Sequence, residues 1–169
     1  MAKGKQIPRE TVDPIIDKVN KRLQGVALNF MVCGSYRRGC PLVRDVDLVA
    51  IASQESDRDQ ILEAFGELLD PTFPRFHVQG NRVHSGPIDY VMVDLNVGLP
   101  DEWAAMVCYA TGSMMFNIKM RGLAKKQGFK LSQYGLFRPD GSKVVTPTEE
   151  DVFKAIGMEF KFPEERNIY

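Results

Sequence analysis

Histidine and cysteine are scarce in this chain. Two histidines, His77 and His84, and three cysteines, Cys33, Cys40 and Cys108, stand among 169 residues, and none has the paired spacing of a zinc site. An odd number of scattered cysteines also fits no disulfide framework, so reduced thiols in an intracellular protein are expected. No apolar run approaches the roughly 20 residues needed to span a bilayer. The opening "MAKGKQIPRE" is polar and basic and has no signal-peptide core. The glycines nowhere form G-x-x-x-x-G-K-[S/T], which disfavours an ATPase of the phosphate-loop type. Internal repeats, low-complexity segments and long linkers are all missing. Net charge is absent too, 22 basic residues balancing 22 acidic ones, which argues against a simple nucleic-acid coat protein.

What is present is an ordinary globular composition, 44% hydrophobic and 26% charged. That suits one domain, or one domain with a small annex, able to bury a sizeable core. The balanced charge is unevenly placed. Residues 1–38 carry eight Lys/Arg against three Asp/Glu, residues 39–102 four against twelve, and residues 103–139 six against none. An acidic middle between basic flanks could hold a metal centrally and phosphates to either side.

Hydrophobic spacing predicts a helix over residues 12–23, from Val12, Ile15, Ile16, Val19 and Leu23. "ALNFMVC" and "DVDLVAIA" read as strands, and "DRDQILEAFGELLD" as a helix stopped by Pro71. "FHVQ", "RVHS" and "IDYVMVDLNV" read as an antiparallel run. Helices are then expected in "DEWAAMVCYA", "SMMFNIKMRGLAKKQ" and "TEEDVFKAI", with a hairpin from "LSQYGLF" and "KVV" before the last. The order is an α+β one: a helix-flanked sheet over residues 1–100, then a smaller α+β section over 101–169.

Within this plan "GSYRRGCPLVRDVDLVAI", residues 34–51, is anomalous. Side chains alternate along a strand, so Asp45 and Asp47 share a face just where the strand enters the core. Two such carboxylates repel, and burial sharpens the repulsion. An exposed strand end with two solvated acids would tolerate them; a divalent cation such as Mg²⁺ would neutralise them. Upstream, Gly34 and Ser35 would let a backbone and a hydroxyl approach an anion closely, and Arg37 and Arg38 supply forks suited to phosphate. A phosphate cradle about ten residues before a carboxylate pair points to nucleotidyl transfer. A third ligand is then needed. Asp89 and Asp94 differ by an odd number and face opposite ways in one regular strand, so only one can reach; Asp94, inside "VMVDLNV" and away from the Gly86-Pro87 turn, is the choice.

"GSYRRG…DVD" resembles the signature of the X-family DNA polymerases, the DNA polymerase beta family. "YATGSMMFNIKMRGLAKKQGFKLSQYGLF" is similar to the family's second conserved segment, and "FPEERN" to its closing Pro-x-x-Arg. The likeness covers roughly residues 27–169. It implies a nucleotidyltransferase palm and a DNA-directed DNA polymerase that fills short gaps in repair with two Mg²⁺, for which Mn²⁺ can substitute. By that resemblance Asp45 and Asp47 bridge both metals, and Asp94 binds the catalytic one. Its distance to Thr111-Gly112-Ser113 matches the family spacing. Gly34, Ser35 and Arg38 hold the triphosphate, with Arg37 and Gly39 shaping the loop. Tyr109, Ala110 and Gly112 border the sugar, Asn117 meets the base edge, and Arg121, Lys125 and Lys119 meet DNA.

Residues Asn117, Arg121 and Lys125 lie at i, i+4 and i+8, one helical row, while Phe116, Met120, Leu123 and Ala124 form an apolar stripe read as core. Two positions depart from the family. Ala110 replaces an aromatic that polices the sugar 2′ position, so relaxed selection is expected, with rNTP accepted beside dNTP. Met114 stands where an acid is common. No N-terminal lyase domain or helix-hairpin-helix is expected, so gapped or primer-template DNA would be held by the palm and the basic C-terminal part of a monomer, with salt-sensitive affinity. The rival readings are a template-independent transferase of the same fold and a non-catalytic DNA-end-binding module.

Overall fold

The structure is a computed structural model, and it describes residues 5–72 and 83–168. The strand expected in "FHVQ", with His77, lies outside the described residues.

Two short strands, β1 (Ile7–Pro8) and β3 (Leu42–Val43), pair antiparallel beside the main body. Helix α1 (Asp13–Leu23) starts with Pro14 in its first turn, where the missing N–H costs nothing. Its apolar row Ile15, Val19 and Leu23 is buried. Strand β2 (Asn29–Val32), a one-turn helix α2 (Gly34–Arg37), strand β4 (Asp45–Ile51) and helix α3 (Arg58–Gly66) follow. The hairpin β5 (Val83–Ile88) and β6 (Val91–Gly98) completes a mixed four-stranded sheet, β2-β4-β6-β5. Its β4–β6 pair is parallel and the other two pairs are antiparallel.

Alternation gives this sheet two unlike faces. Val46, Leu48 and Ala50 of β4 join Val91, Val93, Leu95 and Val97 of β6 under α1 and α3 in the largest apolar cluster. Each buried Val or Leu here stabilises the fold by about 1.5–3 kcal/mol relative to exposure. The opposite face is apolar only toward the strand ends, where Val49 and Ile51 meet Met106 and Val107. Toward the strand beginnings it carries Asp45, Asp47 and Asp94, all half-buried.

Asp89 is not in a strand. It and Tyr90 form the two-residue turn between β5 and β6, with φ of 48° and 70°, both in the left-handed region that such hairpin turns require. The expected single strand over "IDYVMVDLNV" is therefore broken. Asp-Tyr lacks the glycine that usually announces this turn, and that hid it.

The remaining chain forms helices α4 (Trp103–Thr111), α5 (Met114–Lys126) and α6 (Glu149–Ala155) around a small sheet of β7 (Lys130–Ser132), β8 (Gly135–Phe137) and β9 (Lys143–Val144). "LSQYGLF" is thus itself a hairpin, and "KVV" adds a third strand to it. Phe116, Met120 and Ala124 of α5 are buried with Leu136, Val152 and Phe153, and Leu123 packs beside them. Helix α4 contributes to both sides, Met106 and Val107 to the sheet and Ala104 and Cys108 to the α5–α6 cluster. Among the described residues no helix is long and apolar enough to cross a membrane.

Candidate active site

The acidic residues owe their convergence to register. Parallel pairing sets Asp47 directly beside Asp94 on the neighbouring strand, and strands so paired lie about 4.8 Å apart. Asp45, two residues earlier, falls on the same face and pairs with Met92. Burial raises the pKa of Asp47 to about 7, and the charges of Asp45 and Asp94 add to the rise, while Arg38 opposes it. Asp45 is also raised, by burial first and then by Asp94. Asp89 points elsewhere: its carboxylate lies 3.5 Å from Nζ of Lys18 and is largely exposed.

This donor set suits a hard divalent cation, being all carboxylate oxygen on one wall, its negative charge relieved only in part by Arg38 and Arg44. Among the described residues no group of three or more His, Cys, Asp or Glu side chains is already drawn together as a metal cage. The three aspartates share a face and a field rather than a closed coordination sphere. Cys33 and Cys108 are buried free thiols. Burial pushes Cys33 up to about 12, so without a bound metal it stays protonated.

The turn in front of the acids is built to approach them. The Cys33 amide donates to the backbone carbonyl of Asp47 at 2.7 Å, bringing α2 against β4. Gly34 has φ of 58°, and a Cβ there would fall 1.9 Å from Oδ2 of Asp47. Only glycine fits. Ser35, Arg37 and Arg38 follow, all half-buried, while Gly39 is exposed.

Arginines 37 and 38 both reach into the C-terminal part. Arg37 donates through Nη1 to Thr111 Oγ1 at 2.7 Å and forms a fork with the Glu149 carboxylate. Arg38 donates through Nε to Asn167 Oδ1 at 2.8 Å and through Nη1 to the Thr111 carbonyl. A Cβ on Gly112 would stand 3.2 Å from that Nη1, so glycine there permits the approach.

Glu149 also accepts from Nη1 of Arg166 at 2.7 Å. Arg166 is fully buried, its guanidinium 5.0 Å from the Phe153 ring centroid. Burial works to raise the Glu149 pKa, but the Arg37 hydrogen bond and the Arg166 charge outweigh it and hold the carboxyl below its usual range.

Farther along, α4, α5 and β7 enclose a cleft lined in part by Tyr109, Asn117, Arg121 and Ser132. Asn117 donates from Nδ2 to the Tyr109 carbonyl at 2.8 Å, and Arg121 Nε approaches the Asn117 carbonyl at 3.4 Å. Arg121, Lys119 and Lys125 are exposed on α5, Met114 is 72% exposed, and Ala110 is half-buried against the Met106 cluster. The sequence reading assigned no role to Glu149, Thr111 or Asn167. Glu149 sits in the first turn of α6, where an acid ordinarily serves the helix dipole, and that ordinary explanation concealed its two arginine partners.

Residues 6–78 match the family model of the DNA polymerase beta palm, and residues 106–167 that of the DNA polymerase beta thumb. The chain is 29% identical over 192 residues to DNA polymerase lambda of Rattus norvegicus, covering 96% of this chain and 33% of that protein. It is 27% identical over 175 residues to Repair DNA polymerase X of African swine fever virus, covering 98% of each. The chain therefore spans about a third of the rat relative and nearly all of the viral one.

Proposed function

Since this chain belongs to the X family of DNA polymerases, we propose that it extends a primer 3′ hydroxyl on gapped DNA, copying a template strand, as a monomeric repair enzyme inside the cell. The observation that carries the reading is the lateral pairing of Asp47 with Asp94, with Asp45 on the same face, against a turn that only glycine can form.

Asp45, Asp47 and Asp94 would hold the Mg²⁺ ions of the family, or Mn²⁺ in their place, with Asp94 toward the primer terminus. Bound there, such cations would supply activation of the attacking hydroxyl and stabilisation of charge on the α-phosphate and the departing pyrophosphate. Everything else falls to the protein. Ser35 and Arg38 bind the β- and γ-phosphates, Gly34 keeps the cradle close to Asp47, and Arg37 ties the cradle to the C-terminal part through Glu149. Tyr109 and Gly112 border the sugar. Asn117 meets the minor-groove edge of the incoming base once its amide leaves the Tyr109 carbonyl. Arg121, Lys119 and Lys125 line up along the DNA strands, where phosphate contacts position without reading sequence. In this division residues 1–100 form the catalytic unit and residues 101–169 select the nucleotide.

The test is Mg²⁺-dependent extension across a one-nucleotide gap, with each dNTP and rNTP supplied separately and blunt and single-stranded DNA as comparisons. Templated incorporation on the gap is expected. Asp94→Ala should lose about 10³-fold or more in rate while remaining folded. Undiminished extension by that variant, or equal addition to single strands without template, would overturn the reading.

A further inference from the structure

Arg38 reaches the proposed nucleotide site as a side chain already held from two directions. Asn167 accepts from its Nε at 2.8 Å, and the Asn167 amide donates back to the Arg38 carbonyl at 3.3 Å. One side chain thus grips both the guanidinium and the backbone of the same residue. The Thr111 carbonyl takes Nη1 from the other direction. Among the described residues Nη2 has no hydrogen-bond partner, though the guanidinium charge acts on Asp45 and Asp47, so one terminal nitrogen is left for a ligand.

Asn167 is itself held. The turn Pro163–Arg166 precedes it, and the Asn167 amide also donates to the Glu164 carbonyl at 3.3 Å. Next to it, buried Arg166 donates to the Lys161 carbonyl at 2.9 Å and to Glu149. The Ser113 amide donates to the Arg166 carbonyl at 3.3 Å, and the Ser113 hydroxyl to that of Ile168 at 3.0 Å. The C-terminal hook is fastened on both sides of Asn167.

We propose that Asn167 is a positioning residue for nucleotide binding: from the C-terminal hook it fixes the Arg38 guanidinium so that Nη2 meets the triphosphate of the incoming nucleotide. An arginine left free would have to surrender the freedom of its long side chain on binding, and that loss would weaken affinity. Asn167 removes the freedom beforehand. The proposal rests on the reading of the chain as a nucleotide-binding polymerase and adds a residue to that site from the far end of the sequence.

The experiment measures Mg²⁺-dNTP affinity on gapped DNA with a dideoxy-terminated primer, together with KM and kcat on an extendable one. It compares wild type, Asn167→Ala, Asn167→Asp, Arg38→Ala and the double variant R38A/N167A. Asn167→Ala should weaken dNTP binding about tenfold, with the loss in KM rather than kcat. Asn167→Asp should weaken it further, because its charge competes with the triphosphate for Arg38 despite the retained acceptor. In the Arg38→Ala background, Asn167→Ala should add nothing. Unchanged affinity in Asn167→Ala, or an equal further loss without Arg38, would overturn the proposal. A wild type that neither binds dNTP nor extends primers would instead sink the polymerase reading beneath it.

Discussion

The Cβ that Gly34 lacks would stand 1.9 Å from Oδ2 of Asp47. The turn proposed to cradle phosphate and the acidic strand are therefore in backbone-to-carboxylate contact, and neither can be altered alone. Gly34→Ala would force a left-handed φ onto a β-carbon, which costs about 1–2 kcal/mol, and would push the Asp47 carboxylate aside. We expect a lower denaturation midpoint and loss of primer extension in the same variant. Extension at the wild-type rate would mean that Asp47 can shift without consequence.

The raised pKa of Asp47 makes the acidic wall a source of instability when no cation is bound. Its folded value, about 7, lies above the ordinary 3.9 of an unfolded aspartate. The folded state thus binds the extra proton, and the contribution of Asp47 to stability in chelator is complete below about pH 4 and is lost as pH rises through 7. Asp47→Asn should be the more stable protein in chelator at pH 8, by on the order of 2–4 kcal/mol, with the difference vanishing toward pH 4. Added Mg²⁺ should stabilise wild type but do much less for the variant. Urea midpoints across pH, with and without Mg²⁺, check both statements.

Glu149 behaves in the opposite sense. It bridges Arg37 of the cradle turn and buried Arg166 of the C-terminal turn. Removing the carboxylate would leave buried guanidinium charge unpaired, a loss of about 3–5 kcal/mol. Because its folded pKa is depressed, its contribution is complete above the unfolded value near 4.3 and is lost as pH falls through the folded one. Glu149→Gln should be strongly destabilised at pH 7 and should lose less of its remaining stability on acidification than wild type. Parallel acid titrations of the two proteins would show it.

How much of this could be read from residues alone depends on the distance between partners. The alternation of Asp45 and Asp47, the helical row from Asn117 to Lys125 and the apolar stripe of α5 are local patterns, set by the strand and helix repeats, and the structure carries all of them. Choosing Asp94 over Asp89 by strand alternation assumed an unbroken strand that does not exist, leaving the family spacing to Thr111-Gly112-Ser113 as its support. The Asp89–Tyr90 turn removes Asp89 from contention more simply, and the parallel β4–β6 register that sets Asp94 beside Asp47 leaves no trace in either strand's own sequence. The long-range partners of Arg37 and Arg38 were equally hidden. Thr111, Glu149 and Asn167 are 74, 112 and 129 residues away, joined only when the C-terminal part folds onto the sheet.

Ala110 offers the sharpest test of substrate choice. It lies in the last turn of α4, half-buried beside Met106 and Val107 and adjacent to exposed Tyr109. In the proposed reading a methyl group there leaves space beside the sugar that an aromatic ring would take up. A steric contact of this kind discriminates by roughly 10–200-fold, so Ala110→Tyr should lower the ratio of rNTP to dNTP incorporation by about tenfold or more. Because the ring also borders a packed cluster, overpacking should cost about 1–3 kcal/mol of stability, and the comparison must use the ratio of kcat/KM values from one preparation rather than absolute rates. A ratio unchanged from wild type in a folded variant would show that sugar choice is made elsewhere, with Tyr109 the next position to vary.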